Sequence, residues 1–338
     1  MRAMRAVTAP LTAPGTALRL AALLVLCFLI AVWLGAELLS PAALVAAISD
    51  GSSTLGAIIL HWRIPRVLAA FCVGACLGMA GAVFQGVFRN PLAEPYLLGS
   101  ASGASVGAAI AILLPLALPT AIGLPVLAFL GSWGATWLVV LIANRAGAHN
   151  THTMILAGVA IAALLTSIRS LLMLVLSDDS ISLQAILSWT LGAIQTPHWG
   201  ELGGLAVLAG LGFVACLGLA RGLDILGMGP DIAANMGLNI TAFTNRAVLV
   251  ASAITALAVV WGGLVGFIGL IVPHVVRWWI GPRHRGLIIY SALLAGALLM
   301  VFDGLARALL PPAEIPLGLL TVLLGVPFFL CILIRETR

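Results

Sequence analysis

Arg63 and Arg66 flank a single Ile-Pro step in HWRIPR (residues 61–66), directly before a long apolar run. A guanidinium presents a planar fork of donors that matches a carboxylate in two-point, charge-assisted pairing, so arginines held at a helix mouth suit recognition of acidic side chains. Asp303 and Arg307 form the other charged pair of note. Their i, i+4 spacing lets them meet on one helix face. An acidic residue inside an apolar stretch is also what an ion-coupled carrier would need. Asp303 is the clearest such residue, since nearly all the other carboxylates fall between apolar stretches or at their ends. Ion-coupled secondary transport is therefore the runner-up reading of function. His61 and His198 stand alone at the ends of apolar runs and read as surface hydrogen-bonding groups rather than haem ligands. Cys72 and Cys76 lie one helical turn apart without histidine or carboxylate neighbours, so they read as small buried hydrophobes and no metal site is expected.

Other chemistry is excluded by what the sequence lacks. No Ser/His/Asp grouping and no HExxH-type zinc motif appears, so the chain does not read as an enzyme. All sixteen basic residues are arginine. Without lysine the chain cannot supply the GxxxxGK[ST] loop that cradles a nucleotide. ATP and its Mg²⁺, if they drive this protein, must be bound by another polypeptide, and this chain is expected to hold no cofactor.

The elements that carry these residues are apolar almost throughout. Hydrophobic residues make up 62% of the chain and charged residues 8%, with a mean hydropathy of +1.19, far from the quarter-charged mix of soluble domains. About 20 apolar residues span a bilayer as a helix. Ten stretches qualify: 19–39, 67–88, 97–118, 122–143, 153–176, 201–220, 242–262, 264–281, 286–308 and 316–334. The seventh and eighth are nearly continuous and are divided at the glycine-rich WGGLVGFIG (261–269), because about 40 residues is too long for one span. The expected fold is all-α, polytopic, and a single membrane domain over residues 1–338. The first stretch lacks a convincing cleavage site and reads as a retained helix.

Arginine placement orients it. With both termini inside, eleven arginines fall on the cytoplasmic side and only Arg63, Arg66 and Arg307 on the outer side, while Arg169 and Arg277 lie within spans. This asymmetry accounts for the basic pI near 9.4 without a nucleic-acid partner.

Small residues recur every four positions at Gly74, Gly78, Ala82 and Gly86, and again at Gly99, Gly103 and Gly107. Such spacing lets helix backbones approach closely, so the second and third stretches are expected inside the bundle, with the opposite face of the second free to line a pathway. Asp178 and Asp179 are expected to cap the segment that begins at Ser180. The longest cytoplasmic connection, 221–241, contains Pro230 and Asp231 as a helix start and Gly237 as a stop. A short helix there, with Ile232 and Met236 on one side, suits insertion into a groove on a partner protein.

The segment RIPRVLAAFCVGACLGMAGAVFQGVFRNPLAEPYLLGSASGAS (63–105) resembles the signature of FecCD-type permeases, the membrane subunits of type II ABC importers for iron-siderophore complexes, haem and cobalamin. GFIGLIVPHVVRWWIGPRHR (266–285), DGLAR (303–307) and AEIPLGLLTVLLGVPFFLCIL (313–333) extend the resemblance over essentially the whole chain. It implies ten spans in the bacterial cytoplasmic (inner) membrane and a homodimer with a translocation path at its two-fold axis. It implies two copies of an ABC ATPase on the cytoplasmic face and a periplasmic substrate-binding protein on the outer face. Transport would follow by alternating access in a cavity between copies of spans such as the fifth and second. Carried over by residue, Arg63, Arg66 and Arg307 would dock the binding protein. Asp231, Ala233 and Gly237 would meet the ATPase, although MGPD (228–231) stands where the family usually has an acidic pair. Gly74, Gly78, Gly86, Gly99 and Gly103 would pack helices near the path, and His274 would pack at a proline-bent helix. The expected cargo is a bulky iron complex, haem or a ferric siderophore, with cobalamin as the alternative.

Overall fold

The computed structural model describes residues 14–35, 53–114, 119–145, 151–176 and 180–336, all helical apart from connections. The expectations placed on Arg2, Arg5, Arg338, Asp178 and Asp179 fall outside these residues. In chain order the helices are α1 (Pro14–Trp33), α2 (Thr54–Ile58), a π-helical turn (Ile59–Arg63), α3 (Ile64–Phe88), a 3₁₀ turn (Pro95–Leu98), α4 (Ser100–Leu113), α5 (Thr120–Arg145) and α6 (Thr151–Leu176). They continue with α7 (Ser180–Thr190), α8 (Trp199–Gly227), α9 (Pro230–Asn235), α10 (Ile240–Gly262), α11 (Ile268–Ile280), α12 (His284–Ala308) and α13 (Leu317–Glu336). Six helical runs among the described residues are long and apolar enough to cross a membrane, and four shorter apolar helices accompany them. The protein is a multi-pass membrane protein.

An apolar helix without a polar face must be covered on all sides or face lipid, and α3 is the covered kind. It lies at the centre, against α12, α10, α8 and α11, and nearly all of it from Val67 to Phe88 is buried. Gly74 and Gly78 let it press against the backbone of α12 at Ala295 and Ser291. A methyl group at Gly78 would collide with the Ser291 carbonyl oxygen. The same device joins α4 to α5, where Gly103 faces the Gly131 carbonyl and Gly107 that of Leu127. Most of α3 is covered by other helices of the same copy, and a stripe at Ile64, Leu68, Phe71, Cys72 and Ala75 stays only partly covered.

Two helices stop short. At about 1.5 Å per residue, the 14 residues of α4 and the 13 of α11 reach only about two thirds of a 30 Å hydrocarbon layer. Their N-termini lie within the bundle: Gly269 sits against the Leu77 carbonyl, midway along α3, and against Pro95. The chain between α3 and α4 therefore turns back into the protein. The glycine-rich division at 261–269 falls where the sequence places it, between the end of α10 at Gly262 and the start of α11.

The sixth stretch is longer than expected. Helix α8 runs on through Gly227, because Leu223 and Leu226 continue its buried stripe and Asp224 finds partners at the start of α12. The connection expected over 221–241 thus shrinks to the residues after Gly227.

Candidate functional site

Four charged side chains converge where α3 begins and α12 ends. Asp303, almost fully buried, accepts from Arg66 Nε at 3.1 Å and from Arg307 Nε at 3.1 Å, the second being the i, i+4 pair legible in the sequence. Arg66 turns the rest of its fork to Glu314 on the α12–α13 connection, donating Nη1 to Oε1 at 3.1 Å and Nη2 to Oε2 at 2.7 Å. Two guanidinia and two carboxylates thus balance. The backbone holds this connection in place: Ile315 donates to the Ala306 carbonyl, and Leu317 and Gly318 donate to those of Gly192 and Leu191 at the end of α7. A cavity of about 120 Å³ between Arg66, Glu314 and the Ser188–Ala193 segment opens beside the cluster.

Further bonds from the outer arginines reach α1. Arg63 Nη1 donates to the Val32 carbonyl at 3.4 Å and Arg307 Nη2 to that of Ala31 at 3.1 Å. Both oxygens belong to the last turn of α1, where carbonyls lack helical partners and a positive charge is favoured. The three outer arginines are therefore near one another but unequally presented. Arg307 is buried, Arg66 retains a narrow exposed edge, and Arg63 is half-buried beside exposed His61 and Trp62. The sequence reading missed Glu314, which no periodicity links to Arg66.

At the opposite end, α9 forms as the Pro230–Asp231 start and Gly237 stop imply. Gly237 adopts a left-handed φ of 83°, with Leu238 donating to Ala233 and Gly237 to Ala234 in the double bond typical of a glycine-ended helix. Asp231, Ile232, Met236 and Gly237 are exposed, and so is Met228, which the sequence reading did not single out. Ala233 is fully buried, turned to the bundle, so it seats α9 rather than meeting a partner.

Between these ends, the returning segment locks onto the break between α10 and α11. Phe267, in the left-handed region at φ 66°, donates its N–H to Glu94 Oε1 at 3.0 Å. The Tyr96 hydroxyl donates to the Val265 carbonyl at 3.2 Å and receives the Val265 N–H at 3.3 Å. Gly99, at φ 77°, ends the 3₁₀ turn and starts α4. Gly86 is pressed by the His284 ring. His274 is buried in α11 and packs edge-on against Trp278, with ring centres 4.8 Å apart.

Helix α6 contrasts with α3: equally apolar, it is open along almost its whole length, with Leu174 82% exposed. It also carries polar groups, the hydroxyls of Thr166, Ser167 and Ser170 each donating to the carbonyl four residues earlier. Thr166, Ser167 and Ser170 are exposed, Thr166 meets Ser102 of α4 at 3.2 Å, and Arg169 stands among them. An arginine flanked by hydroxyls at the middle of an apolar helix calls for water or a protein neighbour on that side.

The model of the FecCD transport family matches residues 23–335. The chain belongs to the FecCD transport family. Relatives include the permease protein BtuC of a cobalamin import system in Halobacterium salinarum, 35% identical over 277 residues, covering 82% of this chain and 73% of that one. The permease protein HmuU of the hemin transport system of Yersinia pestis is 38% identical over 285 residues, covering 82% and 84%. Among solved structures, an inward-facing metal-chelate type ABC transporter superposes with a TM-score of 0.82 at 29% identity, covering 95% of this chain and 99% of that chain. FecCD membership agrees with an all-helical bundle of long and shorter apolar helices.

Proposed function

We propose that this protein is the permease subunit of an ABC importer that passes a bulky metal-chelate, an iron complex such as haem or a ferric siderophore, from an outer binding protein to the cytoplasm. Cobalamin is the alternative cargo of the same class. The observation that carries the reading is α6, an exposed apolar helix with Arg169, Thr166, Ser167 and Ser170 along it. Paired with its counterpart in a second copy, it would wall a path with hydroxyls and few charges. Such walls bind weakly and let a large cargo leave again. The ten apolar stretches would all enter the bilayer, α4 and α11 in part, with both termini in the cytoplasm of a bacterial inner membrane.

ATP and Mg²⁺ would be bound by a partner ATPase. Helix α9 offers it Asp231 and a patch of Met228, Ile232 and Met236, the form of an apolar helix face set into a groove. The binding protein would dock on the opposite end at Arg63 and Arg66. Because Glu314 already occupies two donors of Arg66, a carboxylate of the binding protein has to displace it, which makes the contact oriented and reversible.

Ion-coupled carriage finds no support in the cluster: Asp303, its best relay group, is held between two arginines. The test is uptake into proteoliposomes containing this chain and its candidate ATPase, comparing haem, a ferric siderophore and cobalamin while ATP and binding protein are omitted in turn. Uptake of one cargo requiring both is the expected result. Gradient-driven uptake indifferent to ATP would overturn it.

A further inference from the structure

A second charged region lies at the α9 end of the bundle, bordering the proposed ATPase contact at Met228. The ends of α3, α8 and α11 and the start of α12 enclose a cavity of about 560 Å³. Arg89, Arg277 and Arg283 line it, against one carboxylate, Asp224. That carboxylate is already engaged, accepting from the His284 backbone N–H at 2.9 Å and lying 2.8 Å from His284 Nδ1. None of the three arginines pairs with a described carboxylate.

Arg277 is the most telling of them. Gln85 donates to the Leu270 carbonyl at 2.9 Å and accepts from Arg277 Nη2 at 3.1 Å, which fixes the guanidinium in the cavity wall. Arg277 Nε is buried and has no hydrogen-bond partner. A buried guanidinium N–H without a protein acceptor is open to one supplied by water or by a bound group. The excess of positive charge says that the acceptor is an anion, and the planar fork with its neighbours suits tetrahedral oxygens such as those of phosphate.

Immediately beyond Arg277, Trp278 and Trp279 are both strongly exposed. Tryptophan pairs of this kind sit at the headgroup level of a bilayer, and basic pockets between helix ends on the cytoplasmic side receive anionic headgroups. We propose that this cavity binds the phosphate group of an anionic phospholipid from the adjoining leaflet. The choice of leaflet rests on the orientation proposed above; the cavity and its charge do not.

The experiment is native mass spectrometry of the full-length chain released from nanodiscs, titrated with phosphatidylglycerol, phosphatidylcholine, or soluble glycerol phosphate. The expected result is retention of phosphatidylglycerol over phosphatidylcholine, with retention falling roughly fivefold for each arginine removed. Arg89→Gln and Arg283→Gln, both at exposed positions, carry the test if the more buried Arg277→Gln fails to fold. Arg246→Gln, outside the cavity, should retain lipid as the parent does. Equal retention by the Arg89→Gln/Arg283→Gln variant would overturn the site. Displacement by glycerol phosphate as effective as by lipid would assign it to a soluble phosphate compound instead and overturn the lipid source. Lipid retention is read without ATP, ATPase or cargo, so its failure leaves the importer reading standing, and failure of uptake leaves the lipid result standing.

Discussion

At the residue scale, the outer cluster is a closed charge balance with one loose member. Asp303 is buried between two arginines, whereas Glu314 is about half exposed. Glu314→Gln keeps the side chain's shape and removes its charge, releasing part of the Arg66 fork. Exposed ion pairs contribute about 0–1 kcal/mol, so binding-protein affinity should rise by up to about fivefold, measured by titration against the permease in nanodiscs. Weaker affinity would remove Arg66 from the docking surface. Asp303→Asn acts in the opposite sense. It deprives two arginines of a buried carboxylate and is expected to cost about 3 kcal/mol or more, read as a lowered thermal midpoint in detergent. A midpoint equal to that of the parent would mean that Glu314 and the α1 carbonyls suffice to hold both arginines.

At the element scale, helix contacts depend on glycines that differ sharply in what surrounds them. A side chain at Gly103 would meet the Gly131 carbonyl, whereas a methyl group at Gly134 would meet nothing within 4 Å. Gly103→Val should therefore abolish monodisperse protein in size-exclusion chromatography. Gly134→Ala should be neutral or stabilising by about 0.5–1 kcal/mol through helix propensity. Similar behaviour of the two would contradict the α4–α5 contact. Spacing alone revealed which helices pack closely, and glycine density located the α10–α11 break. It did not reveal that α3 is covered along most of its length, because an apolar helix has the same sequence against lipid as against protein. Nor did it show that α8 continues past Arg221, since polar Arg221 and Asp224 resemble a connection until His284 supplies Asp224 with a partner. The bonds of Glu94 and Tyr96 to the α10–α11 break join residues too far apart in sequence for any local pattern to link them.

At the scale of the whole molecule, one face of α6 packs on α4 and α5 while the other is left uncovered along most of its length. If α6 walls a path between two copies, cysteines introduced at Leu174 in a background lacking the native five should cross-link into a dimer on mild oxidation. Cysteines at Leu211 of α8, also exposed but placed elsewhere, should not. Equal cross-linking at both positions would indicate random collision and count against the two-fold arrangement. The Arg169 neighbourhood was legible from sequence only as an arginine within a span. Its exposure on an otherwise apolar helix is what ties it to an assembly.

The segment between α3 and α4 has a consequence for how the protein is made. Tyr96 is paired with a residue 169 positions later and Glu94 with one 173 positions later. A chain emerging from the ribosome has inserted α3 and α4 long before Val265 and Phe267 exist. Until then the Glu94 carboxyl group and the Tyr96 hydroxyl lack these partners, and lipid offers no substitute. The order of synthesis therefore obliges this turn to wait near water or insertion machinery, and the bundle closes around it only when its last third arrives.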